Sequence, residues 1–115
     1  MSKARQNWMH RADVEFAKFI KARDGHCWRC GSTEYLQCAH IISRSYKAIR
    51  VDPDNAVAMC RSHHLYYTNR PLEWRQAVEA EYPGLWDRLT AKALAYPKVD
   101  WKTEYELLVG SVGDQ

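Results

Sequence analysis

Two pairs of potential metal ligands frame the middle of this 115-residue chain. Cys27 and Cys30 enclose Trp28-Arg29, and Cys60 and His63 enclose Arg61-Ser62. Three thiolates and one imidazole complete the set that a closed tetrahedral zinc site requires. Each two-residue gap lets a tight turn aim both members of a pair at one ion. Between and beside the pairs stand His40, Asn55 and His64, the last directly after the final ligand. An imidazole with a pKa of about 6.5 is neutral at physiological pH and is able to take a proton from water.

Disulfides are the weaker reading of the cysteines. The chain shows no hydrophobic signal segment, so a reducing cytoplasm is the expected compartment, and there such spacing reads as metal binding. No apolar run approaches the roughly 18 residues of a membrane span, and no membrane partner is expected.

A chain of this size makes one domain, residues 1–115, whose modest core benefits from a metal staple. The net charge of +3 is unevenly spread. Residues 1–50 hold ten Lys/Arg against four Asp/Glu, a balance of +6, and residues 51–115 hold seven against ten, a balance of −3. The basic half contains His40 and runs on through Arg44, Lys47 and Arg50, where a polyanion would meet complementary charge.

The elements that must position these groups follow from local pattern. Residues 1–10 read as a loose arm. From Asp13 to Arg23, Val14, Phe16, Ala17, Phe19 and Ile20 recur at helical spacing, and Asp24-Gly25 supplies a stop. Cys27 to Ser32 is a knuckle in which Gly31 lets the backbone double back. Tyr35 to Ile42 reads as a strand and Asn55 to Met59 as a second, joined by a basic loop ending in the turn signal Asp52-Pro53-Asp54. Arg61 to Asn69 reads as a helix. Pro71 suits the first position of the next one, along which Leu72, Trp74, Val78 and Tyr82 line one side. Pro83-Gly84 breaks it, Leu85, Leu89 and Ala93 continue in a further helix, and Trp101 to Val109 form a last one.

This order of knuckle, strand, loop, strand and helix, carrying C-x-x-C, His40, Asn55, C-x-x-H and His64, resembles the HNH endonuclease superfamily. The resemblance spans residues 27–69, rather more than a third of the chain, with residues 71–109 as a helical extension. Arg50-Val51-Asp52-Pro53-Asp54-Asn55 and the helical tail are most similar to phage recombination endonucleases of the NinG kind. The resemblance implies an α+β fold, a small ββα-metal hairpin flanked by N- and C-terminal helices. It implies a phage or prophage enzyme that hydrolyses DNA phosphodiesters. His40 would be the general base, Asn55 would brace the loop and orient the His40 ring, and His64 would hold a catalytic divalent ion, Mg²⁺ or Mn²⁺. Zinc on Cys27, Cys30, Cys60 and His63 would be structural. Arg44, Lys47 and Arg50 would contact DNA phosphates, and paired cutting of both strands would favour a homodimer.

One position departs from the family pattern. The residue before the base His often holds the catalytic ion, and here it is Ala39, which has no ligand atom. Cys38 would share a strand face with His40. It reads as a buried apolar thiol, a substitute ligand or a spare zinc ligand. Asp52 or Asp54 are alternative oxygen donors. Tyr66 and Tyr67 read as packing residues, Trp28 as a cap over the metal site, and His10 and His26 carry no supporting pattern. The rival class is a zinc-stabilised DNA-binding module that has lost cutting. Such a module needs none of His40, Asn55 and His64.

Overall fold

The computed structural model describes residues 2–95 and 98–113. It is an α+β fold with a two-stranded antiparallel sheet and, among the described residues, five α-helices. Helix α1 (Ser2–Asp24) precedes strand β1 (Leu36–His40), strand β2 (Ala56–Cys60) and helix α2 (Arg61–Thr68). Helices α3 (Pro71–Glu81), α4 (Leu85–Ala95) and α5 (Trp101–Gly113) complete the order. Two short 3₁₀ turns, Lys47–Ile49 and Pro53–Asn55, shape the connection between the strands.

Helix α1 starts at Ser2, so the expected loose arm is helical. The cause is tertiary. Helix α5 packs along α1, with the Trp8 and Tyr105 rings 5.4 Å apart and the Arg11 guanidinium 4.9 Å above the Trp8 ring. Packing partners of this kind stabilise helices that sequence periodicity does not mark. Ala12, Phe16 and Ile20 form the buried stripe of α1, whereas Val14, placed on that face by sequence, is exposed. The helix stops where expected. Gly25 takes a φ of +71° and its N–H returns to the Lys21 carbonyl at 2.9 Å, a left-handed cap that suits glycine.

The strands pair from Leu36 opposite Cys60 to His40 opposite Ala56. Every residue of β2 is buried, because its alternating side chains enter two cores. Ala56 and Ala58 face Ala12, Phe16, Ile20 and Leu108 of α1 and α5. Val57 and Met59 face Tyr67, Trp74, Val78, Leu85 and Leu89 of α2, α3 and α4. The outer edge of β2 is strapped by the end of α1 and by the knuckle. Arg23 donates to the Pro53 and Ala56 carbonyls at 2.8 and 2.9 Å, Asp24 accepts from the Ala58 N–H at 2.7 Å, and the Trp28 N–H donates to the Ala58 carbonyl at 2.8 Å.

Pro71 opens α3 as its type favours. The apolar side of that helix is narrower than the sequence implies: Trp74 and Val78 are buried, but Leu72 is 79% exposed and Tyr82 39% exposed. Positions two apart on a helix lie on nearly opposite sides, so Leu72 and Trp74 cannot share a face. Leu85 and Leu89 of α4 are buried as expected. Among the described residues, no helix is long and apolar enough to cross a membrane.

Candidate active site and metal centre

Cys27, Cys30, Cys60 and His63 converge, with one ligand atom from each lying within 4.8 Å of the others. The knuckle that delivers the first pair is built by backbone hydrogen bonds. Cys27 N–H donates to the Ser32 carbonyl at 2.7 Å and Gly31 N–H to the Cys27 carbonyl at 2.9 Å, with Gly31 at a φ of +80°. The second pair sits where β2 runs into α2, so the strand end supplies Cys60 and the first helical turn supplies His63.

The geometry matches a tetrahedral ion. Bonds of about 2.3 Å to sulfur and about 2.0 Å to nitrogen put ligand sulfurs about 3.8 Å apart and sulfur and nitrogen about 3.5 Å apart. Cys30 Sγ and Cys60 Sγ are 3.8 Å apart, and His63 Nδ1 lies 3.3 Å from Cys60 Sγ and 4.0 Å from Cys27 Sγ. Burial raises the Cys27 thiol pKa, but backbone N–H groups of Cys60, Cys30 and Arg29 outweigh it and bring it down to about 6. The thiolate is thus favoured at Cys27, whereas at Cys30 the Ser32 N–H is outweighed by desolvation and the neighbouring thiols, which raise its pKa. The cluster could hold a structural metal such as zinc. Trp28 ties the knuckle to α3: its ring meets Trp74 edge-on at 5.6 Å and its indole N–H donates to Tyr82 Oη at 3.3 Å. His26 and Cys38 stand outside the cluster.

His40 and His64 line one open cavity of about 540 Å³ beside β1, with Asp13, Lys21, Gln37 and Arg44 around them. His40 comes from the end of β1 and His64 from α2, so the sheet edge and the post-metal helix bring them together. The His40 ring packs on Phe16, with centroids 5.6 Å apart. His40 Nε2 lies 2.7 Å from the Arg50 carbonyl oxygen, which only accepts hydrogen bonds. Nε2 therefore carries the proton and Nδ1 keeps its lone pair. The same logic applies to His64, whose Nδ1 is 2.7 Å from Gln37 Oε1. With Nδ1–H donated to that amide oxygen, Nε2 is left as a ligand atom. Burial pulls the pKa of each imidazole below its ordinary 6.5; for His40 it outweighs the opposing Arg50 carbonyl contact. Burial thus favours the neutral form of both rings.

Asn55 is wholly buried and fully bonded. Its Oδ1 accepts from Ile42 N–H at 2.8 Å, and its Nδ2 donates to the Ile42 and Ile49 carbonyls at 2.9 and 3.1 Å. It pins the basic loop at both ends. No hydrogen bond runs from it to the His40 ring, which is oriented by the Arg50 carbonyl at the end of the braced segment.

The three basic loop residues separate. Arg44 is exposed and lines the histidine cavity. Lys47 lines a different depression with Asp52, Lys98 and Asp100. The Arg50 guanidinium is engaged by Asp13 through two bonds of 2.8 and 2.6 Å, with its side chain 13% exposed. Asp52 pairs with Lys92 and caps the Asp54 N–H, and Asp54 lines a separate depression with Arg23 and Tyr82, so neither aspartate lines the histidine cavity. Ala39 is buried among the α2–α4 core residues, while Cys38 lines the cavity beside His40 with its thiol pKa pushed up to about 11 by burial. Tyr67 packs on Trp74, and Tyr66 is exposed beneath Arg70. Sequence reading missed Asp13, Phe16, Lys21 and Gln37 as neighbours of the histidines. Their one faint signal is Asp13, an acid in the basic half of the chain. No family model, curated protein or solved structure matches this chain.

Proposed function

We propose that this chain is a metal-dependent DNA endonuclease of the HNH kind, built on a zinc-clipped ββα-metal hairpin. The observation that carries the reading is the pair of imidazoles on one cavity, each with one nitrogen tied back and the other free. His40 Nδ1 takes the proton of the attacking water, as a general base held in one tautomer. His64 Nε2 offers an ion ligand whose orientation is set by Gln37, the outer-sphere arrangement common at metal-bound histidines. A divalent ion bound there would supply Lewis-acid stabilisation of the scissile phosphate. Of this chain's residues His64 would hold the ion, with substrate and water oxygens completing the set, and an imidazole ligand suits Mn²⁺, Ni²⁺ or Zn²⁺ better than Mg²⁺. Lys21 and Arg44 flank the cavity with positive charge for the phosphates on either side.

The rival, a zinc-stabilised DNA-binding module without cutting, draws on two observations. Ala39 has no ligand atom, and the carboxylate lining the cavity, Asp13, already holds Arg50. Supercoiled plasmid incubated with purified protein and Mn²⁺, Mg²⁺ or EDTA separates the two. Metal-dependent nicking or linearisation is expected; tight binding with no cleavage under any divalent ion would leave the module.

A further inference from the structure

We infer that Asp13 is a positioning residue: through Arg50 it holds the His40 imidazole in the tautomer and orientation that the proposed chemistry uses. The inference rests on the nuclease reading for its kinetic consequence, but its structural part stands on contacts alone.

Asp13 and Phe16 lie three apart on α1 and so project from one side of that helix. Phe16 packs on the His40 ring. Asp13 reaches the loop instead, where its two carboxylate oxygens meet Arg50 Nε and Nη2 at 2.8 and 2.6 Å. A bidentate carboxylate–guanidinium pair fixes both position and plane, which a single bond does not. Both side chains are mostly shielded, at 19% and 13% exposed, so the pair is poorly screened. Arg50 Nη1 also donates to the Arg44 carbonyl at 3.3 Å, closing the loop upon itself. The backbone of the residue so anchored supplies the carbonyl that accepts from His40 Nε2 at 2.7 Å. One helix thus supports the imidazole twice, by ring contact and by fixing its hydrogen-bond acceptor. Asn55 braces the loop at Ile42 and Ile49, and Arg50, the next residue, is the point where the brace passes to α1.

The test uses the full-length protein and Asp13→Asn, which keeps shape and removes the charge. Nitrogen NMR of the His40 ring reads its tautomer directly, with no need of cleavage. We expect a single Nε2–H tautomer in the wild type and a mixture in D13N, with kcat for plasmid cleavage down about tenfold to a hundredfold and KM nearly unchanged. Asp13→Glu, which restores the charge on a longer arm, should recover part of both signals. Should D13N not fold, Arg50→Gln reads the same pair from its other side and leaves α1 intact. A His40 tautomer and kcat unaffected by loss of either partner would overturn the inference. A tautomer mixture in D13N combined with no cleavage by the wild type would uphold the positioning and remove the nuclease reading instead.

Discussion

Replacing Asn55 by alanine should be among the most damaging single changes in this fold. The side chain is wholly buried and satisfies three backbone groups: the Ile42 N–H, the Ile42 carbonyl and the Ile49 carbonyl. Leaving a buried polar group without a partner costs about 1–3 kcal/mol. The Ile49 carbonyl keeps the Asp52 N–H at 3.3 Å, so the two Ile42 groups carry most of the loss, and with water entering the vacated space the change should cost about 2–4 kcal/mol. Natural domains have only about 5–15 kcal/mol to lose. For a chain of this size each kcal/mol moves Tm by about 4 °C, which puts the fall at about 8–16 °C. Urea unfolding followed by tryptophan fluorescence gives the free energy, with an unchanged slope showing that the denatured state is the same. A loss below about 1 kcal/mol would refute the reasoning, because the loop would then hold its path without the amide. Asn55→Asp sharpens the test. The carboxylate keeps the acceptor for Ile42 N–H but faces two carbonyls, so its folded-state pKa should be raised. Its stability should therefore be greatest at low pH and fall as pH rises through that pKa.

Elemental analysis should find about one zinc per chain, and Cys60→Ser should lose both the metal and cooperative unfolding; full folding without zinc would show the four ligands to be ordinary thiols and an imidazole. Neutralising Lys21 or Arg44 should reduce the slope of log affinity for duplex DNA against log salt by about 0.9 each, while Lys47→Gln, on another surface, leaves it unchanged. Burial holds His40 below its ordinary 6.5, and the proposed mechanism needs the neutral ring, so cleavage should be level above that value and fall as pH drops through the lowered pKa. Folding stability follows the same sign, full above the unfolded value of 6.5 and lost as pH falls through the folded one. An acid limb with its midpoint above 6.5 would contradict the burial argument.

What the sequence displayed and what it concealed divide by distance along the chain. The C-x-x-C and C-x-x-H pairs are local patterns whose spacing carries their geometry, and the convergence of Cys27, Cys30, Cys60 and His63 follows from them. The two strands and the helix after Cys60 were legible to within a residue or two for the same reason. The full length of α1 was not, because what holds its first half is the packing of Trp8 on Tyr105, nearly a hundred residues on. Nor was the commitment of Arg50 to Asp13: a basic residue in a basic loop looks like a phosphate contact until its partner 37 positions away is in view. Ala39 read as a missing ligand, and it is a core residue packed beneath the sheet.

The central claim is that His40 moves the proton in a phosphodiester cleavage. Single-turnover cleavage of supercoiled plasmid by His40→Ala, with Mn²⁺ saturating and DNA affinity measured in parallel, tests it most directly. The account predicts a rate reduced by about 10²–10⁴-fold with folding, zinc content and DNA affinity nearly unchanged, and no recovery on adding metal. His64→Ala, by contrast, should regain a trace of activity as Mn²⁺ is raised. Cleavage by His40→Ala at the wild-type rate would contradict the account.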